Sequence, residues 1–556
     1  MRRSVLFLVL GMLPLPASAA GHHPWCGTTL EGGRNAIAQH LQERERRGLR
    51  DSAAAASASV DIGEIAVLED QGDLALFRNA VDLANLGIEF SRSGPNYQAS
   101  RVDRPIVPGA SETLALGDDA HLGITLPFPF PYYGRTWTTA FVNSDGNLTF
   151  GEGESASTDR SLGRMLSGPP RIAPLFADFD PSVGGSVTTQ TEADAFRVSW
   201  TNVPQFGRTD QNSFQVTLFR DGRIQFSYGT LGTGIDGVAG IAPGRYEGGY
   251  TPLDIANAAG AISGGALAEG FRLQNELDLV SVARRFYASH GDDFQQLVIY
   301  TSQTLIAPRT FAFEINVKNT DQGTGATVED LSAAYGSRGR LESIVHMDVH
   351  TKYFDDPNIR INGEDNSLGI LAHEVGHRWL ARAFFRDGER SSDEMLGRQG
   401  SHWSFFLDTD GSHDEGNDIT DNGDGSFRTV GAGLRYSPLD QYLMGIRAPE
   451  DVPPFLLVRN PSGTATSPSR GPESGVSFRG TRRDITIGEV IAAMGSRNPP
   501  ASTRLPPFRQ AFVYVNVGGA LDAVAVAKLE RIRQQWPEQF RRSTDGRRSV
   551  ETRLRP

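Results

Sequence analysis

The chemistry-bearing residues of this chain gather in the run His373-Glu374-Val375-Gly376-His377. On a helix, residues four apart share a face, so the imidazoles of His373 and His377 project together and can bind one metal ion. Neutral imidazole suits zinc. Glu374 stands one position round the helix, where its carboxylate can take a proton from a metal-activated water. The pattern predicts metal-assisted hydrolysis with Glu374 as general base.

A zinc site of this kind needs three protein ligands and an open position. Downstream, Gly400-Ser401-His402-Trp403-Ser404-Phe405-Phe406 offers His402 as the leading candidate, with Glu415 and Asp440 as alternatives. The helix carrying the motif has N-cap oxygens available at Asp365, Asn366 and Ser367. Leu371, Val375 and Trp379 recur at four-residue spacing on an apolar face, and Gly388 offers a stop. Tyr436 or Tyr442 could donate to a tetrahedral oxyanion and Met444 could floor the metal, although buried packing is the default for all three. Ser343 to His350 alternates as a strand, so His346, Asp348 and His350 fall on one face; a solvated or substrate-facing face is the expectation, a second metal site the alternative.

The elements around these residues divide the chain. Leu277 to Ser289 and Ile485 to Met494 read as helices, Gln296 to Thr301 and Phe512 to Val517 as strands, and Leu521 to Trp536 as an amphipathic helix. Residues 276–556 therefore predict an α+β domain, with a Pro/Ser/Gly/Thr-rich loop at 461–476. Residues 105–275 read as all-β. Two alternating runs, Phe214 to Phe219 and Ile224 to Tyr228, flank Asp221-Gly222, which predicts a hairpin with a type I′ turn. Phe141 to Phe150 repeats the pattern around Asp145-Gly146. Residues 21–104 predict a prosegment or linker, with an Ala/Ser-rich stretch from Ala53 to Ser59. Cys26 lies in it. A prosegment thiolate can cap a catalytic zinc, but no spacing ties Cys26 to the helix, and a free or packed thiol is the expectation.

Residues 1–20 have the pattern of a signal peptide: Arg2 and Arg3, an apolar Val5 to Leu15, and the cleavage motif Ala17-Ser18-Ala19. The expectation is a secreted or periplasmic protein with no later membrane span. Loss of the two arginines takes the formal charge from −12 to −14, which argues against nucleic acid or an anionic membrane as the main partner. A single cysteine forms no internal disulfide. Neither a nucleophile elbow nor a phosphate-binding glycine loop is present.

Two resemblances add to this reading. Leu126-Pro127-Phe128-Pro129-Phe130, Tyr133-Gly134, Asn143-Ser144-Asp145-Gly146, Ala173 to Asp180 and Phe219 to Ile224 together resemble the nidogen-like extracellular domain. That implies an adhesion or matrix-type β domain, binding an extracellular-matrix or cell-surface ligand, without catalysis. The 373–377 run resembles the H-E-x-x-H helix of zincin metallopeptidases, and Arg435 to Gly445 is similar to the segment after that helix in secreted immune-inhibitor-type peptidases. The metzincin continuation after His377 is missing, and so is a thermolysin-like second glutamate helix. The zincin resemblance implies a protein or peptide substrate held along an edge strand, here 343–350. The alternative function is an extracellular binding protein with an inactive zincin scaffold. Asp408-Thr409-Asp410-Gly411 and Asp421 to Gly425 are acidic loops that could hold a structural Ca²⁺, and solvated turns fit them equally; Asp178 and Asp180 could also bind Ca²⁺, but a pair of turn aspartates is more often a turn former.

Overall fold

The computed structural model describes residues 25–28, 31–48, 59–109, 111–157, 159–258, 262–308, 310–362, 365–431, 435–464, 466–502 and 504–555. The signal-peptide expectation lies outside the described residues, as does most of the Ala/Ser-rich stretch.

The site rests on an eight-stranded mixed sheet. Its order runs Trp25–Thr28, Thr310–Asn316, Ser343–Val349, Gln296–Thr301, Phe508–Asn516, Ile65–Glu69 and Ser59–Ile62, with Val550–Glu551 beside Phe508–Asn516. The four central strands from Ser343–Val349 to Ile65–Glu69 are parallel. They read as nearly unbroken apolar runs because both faces are covered. The helix Leu279–Ser289 packs on one face, its Val282 and Phe286 against Leu297 and Ile344. The helices Ser367–Gly376 and Ala523–Ser543 cover the other, where Leu371, Val375 and Trp536 join Val345, Met347 and Phe512 in one core.

The strand 343–349, expected at the edge, is interior, flanked by 310–316 and 296–301. The sequence cannot distinguish these positions, because a central strand and an edge strand of this length look alike when both are apolar. Its outer neighbour is covered in turn by the strand Trp25–Thr28, which pairs parallel to it with Cys26 opposite Ala312.

Within 21–104, expected as a prosegment or linker, the described residues are built into the two domains. Strand 65–69 has four residues fully buried between helices and pairs along its length with Phe508–Asn516. Strands Gly87–Ser93 and Asn96–Val102 belong to a different sheet, in a β-sandwich. The sandwich packs a seven-stranded sheet on an eight-stranded one, with Phe128, Phe130, Trp200, Phe214 and Phe226 between them. The chain enters and leaves it side by side: Ala75–Leu76 pairs with Glu276–Leu277, and Asn79 with Arg272. The sandwich is thus inserted within the mixed-sheet domain. Helix Gly32–Arg46 bridges the two, through His40 Nδ1 to Asp278 at 2.7 Å, Glu43 to Arg272 at 3.0 Å and Gln42 to the Gly270 carbonyl at 2.8 Å.

The hairpin of residues 212–228 forms as expected, but its turn is not type I′. Only Gly222 has positive φ (90°), and its N–H donates to the Phe219 carbonyl. A further element was not foreseen. Strands Trp403–Asp408, Glu415–Asp421, Ser426–Gly431, Phe455–Ser462 and Ser477–Ile485 close into a five-stranded barrel filled by Phe405, Phe406, Phe427 and Phe478. It starts immediately after His402. Among the described residues no helix is long and apolar enough to cross a membrane.

Candidate metal centre

Helix Ser367–Gly376 is capped by Asn366, whose side chain accepts from the N–H groups of Leu368 and Gly369. Asn366 is therefore the cap among the three oxygen-bearing candidates. The helix stops at Gly376, twelve residues before Gly388, which serves instead in the turn between Phe385–Asp387 and Arg390–Ser392. The backbone marks the stop. The Leu380 and Trp379 N–H groups both close on the Gly376 carbonyl, and Ala381 turns to φ 57°. Trp379 lies beyond the helix and packs on Phe508 with the rings tilted, in the same core as Leu371 and Val375.

His377 ends the helix, and His402 reaches it from the start of the barrel. His373 Nε2 lies 3.2 Å from His377 Nε2 and 3.3 Å from His402 Nε2. Ligands about 2.05 Å from a tetrahedral zinc are separated by roughly 3.3 Å, so the spacing fits one ion. The outer ring nitrogens show how the rings are held. His373 Nδ1 donates to the His413 carbonyl at 2.7 Å, and His402 Nδ1 to the Arg398 carbonyl at 2.9 Å. His377 Nδ1 faces the Asp414 carboxylate at 3.2 Å. With the proton on each Nδ1, three Nε2 lone pairs converge. Burial first of all lowers the pKa of all three, that of His402 to about 3, so they stay neutral. Converging lone pairs in a buried site repel one another; that of His402 accepts from Arg398 Nη2 at 3.1 Å, and a cation among the three would relieve the rest. Neutral imidazoles oriented through their far nitrogens are the donor set zinc takes.

Glu374 is fully buried on the same turn. Its charge acts on Asp414, whose carboxyl is raised well above the ordinary range by burial first, then by Asp440, Glu374 and Glu415. Glu374 therefore belongs to the same buried cluster as the His377–Asp414 pair.

The other candidates are placed elsewhere. Asp440 caps its own helix through Ser437 and accepts from Trp403 Nε1 at 2.8 Å, anchoring the residue after His402. Glu415 pairs with Arg398 and stands 3.9 Å from His402 Nε2. The Tyr436 hydroxyl donates to the Ala372 carbonyl at 2.7 Å, the Tyr442 hydroxyl accepts from the Arg497 N–H, and Met444 lies in the core. Their roles here are packing and helix fixation. His346 is buried edge-on to Phe313, Asp348 pairs with Lys352 at 2.9 Å, and His350 lies 3.9 Å from Asp522; the three form no metal-type cluster among the described residues.

Asp408 and Asp410 do gather, with Asp418, their carboxylates within 4.8 Å of one another. Asp421 is paired with Arg482, and Asp424 accepts from the Ser426 N–H as a turn former. Asp178 clusters with Asp118 and Asp119, but Arg160 pairs with Asp119, Asp145 and Asp178 together. Asp180 accepts from the Ser182 N–H. The side chain of Cys26 lies outside the described residues.

Residues 90–264 match the family described as NIDO related. The sandwich is a nidogen-related domain. Its match begins inside strand Gly87–Ser93, ahead of the expected boundary at 105, because two strands on the N-terminal side of that boundary complete the nidogen-related sheet. No solved structure matches the chain.

The sequence reading missed three residues that shape the centre: His413, Asp414 and Arg398. His413 and Asp414 sit in Ser412-His413-Asp414-Glu415, a dense run of polar, metal-compatible side chains that was a usable signal. Arg398 had none.

Proposed function

We propose that the mixed-sheet domain is a zinc-dependent endopeptidase of the zincin kind, exported from the cell. The observation that carries the reading is the convergence of His373, His377 and His402 Nε2, with the Nδ1 atoms of His373 and His402 held by carbonyls and that of His377 lying 3.2 Å from the Asp414 carboxyl. His373, His377 and His402 would hold the metal. Zinc, when bound, supplies Lewis acidity and makes water acidic enough to be deprotonated near neutral pH. Glu374 takes the proton from the attacking water and passes it to the departing amine. Asp414 and the carbonyls of His413 and Arg398 keep the rings oriented. The nidogen-related domain would dock the enzyme on an extracellular partner, positioned by helix Gly32–Arg46.

The test is hydrolysis of casein by purified wild type beside Glu374→Gln. The reading predicts activity that a chelator abolishes, and a variant that binds zinc but hydrolyses at least about a hundredfold more slowly. Equal activity in both proteins would refute the role of Glu374. Bound zinc in neither, with no hydrolysis, would favour the extracellular binding protein.

A further inference from the structure

Arg398 grips both nitrogens of His402. Its carbonyl accepts from Nδ1 at 2.9 Å, and its guanidinium Nη2 donates to Nε2 at 3.1 Å. The same Nη2 is ion-paired with Glu415. The guanidinium therefore stands at the triad itself, and with its side chain 17% exposed it is more accessible than the three histidines. The backbone that aims it is unusual: Gln399 and Gly400 both have positive φ, at 59° and 65°.

Were His402 Nε2 to serve as a metal ligand, the Arg398 N–H would lose that acceptor while Glu415 would still hold the guanidinium in place. Guanidinium stays charged at every working pH and offers several donors in a fixed fork. A donor so held is preorganised for an oxygen that becomes negative beside the triad. We propose that Arg398 is a catalytic residue that donates to the scissile carbonyl oxygen, with Glu415 as its positioning residue. This rests on the hydrolytic reading above. Water oxygen bonds to the carbonyl carbon and the C=O electron pair moves to oxygen, where Arg398 donates. Glu374 holds the water proton. The C=O then re-forms, the C–N bond breaks, and the amine leaves with that proton.

The experiment compares zinc-loaded wild type, Arg398→Met, Arg398→Lys and Glu415→Gln. It measures zinc per chain, kcat and KM on an internally quenched peptide, and calorimetric binding of a phosphinic peptide whose tetrahedral oxygens mimic the adduct. The expected result for Arg398→Met is unchanged zinc content, kcat lower by about 10²–10³ with KM within a few-fold, and phosphinate binding weaker by at least about tenfold; Arg398→Lys recovers part of both. Arg398→Met with wild-type kcat and phosphinate affinity overturns the proposal alone. Loss of zinc in both Arg398 variants also overturns it, leaving Arg398 as a holder of His402. Wild type that binds zinc but neither cleaves peptide nor binds phosphinate overturns the hydrolytic reading and this proposal together.

Discussion

Gly376→Ala is a small change with a large expected effect. Gly376 is outside the positive-φ region, so alanine is allowed there and, at the helix's last residue, would gain at most about 0.8–1 kcal/mol in helix propensity. An added Cβ, however, would lie 2.1 Å from Asp414 Oδ2 and 3.1 Å from Tyr436 Cε1. Overpacking of this kind costs about 1–3 kcal/mol, so the net loss of stability is roughly 0–2 kcal/mol. The larger effect would fall on the proposed zinc. Asp414 is the group it displaces, and Asp414 faces His377 Nδ1 at 3.2 Å. Disturbing such an orienting carboxylate weakens metal binding by about 10–100-fold. Asp414→Ala removes the clashing oxygen, so Gly376→Ala placed on that background should stabilise the protein by close to its full propensity gain. The two changes would then couple by about 1–3 kcal/mol. Denaturant melts of the metal-free proteins and zinc competition against a chelator read both quantities. Gly376→Ala with wild-type stability and wild-type zinc affinity, or additive effects in the double variant, would refute the argument.

Two further outcomes follow from buried groups near the centre. Glu314 lies under the site helix, 3.9 Å from Arg382, and burial lifts its carboxyl from 4.5 to about 7. Between those values the folded chain keeps a proton that the unfolded chain releases, so its contribution falls as pH rises, by about 3 kcal/mol across the window. The stability difference Glu314→Gln minus wild type should therefore grow from pH 4.5 to 7.5, and a difference that is flat or shrinks would contradict this. Tyr436→Phe removes the bond to the Ala372 carbonyl and should cost about 1 kcal/mol in a urea melt, with peptide hydrolysis unchanged within twofold. A hundredfold loss of kcat would return Tyr436 to the oxyanion.

The sequence made the two metal-motif histidines legible because their spacing is local. A four-residue interval on a helix has one geometric meaning. His402 was legible as a candidate but was not separable from Glu415 and Asp440. That choice depends on a barrel whose first strand follows His402 and whose second begins at Glu415. Closure of a barrel is a long-range property that alternation alone does not reveal. The all-β character of 105–275 was readable from strand alternation and turn residues, but the two-sheet packing and its insertion into the mixed-sheet domain were not. Strand 65–69 resembles any short β segment until its partner, more than four hundred residues away, is known, and strand 59–62 joins the sheet only through 65–69. Trp25–Thr28 was hidden for the same reason. The edge position assigned to 343–350 failed because strand rank within a sheet is set by neighbours and not by the strand's own residues.

The most direct test is zinc stoichiometry by elemental analysis on wild type and His402→Ala, each dialysed against a metal buffer. The account predicts one zinc per wild-type chain and its loss, or an affinity drop of at least about a hundredfold, in His402→Ala. A wild type that takes up no zinc, or a His402→Ala variant that holds it as tightly as wild type, would contradict the three-histidine centre.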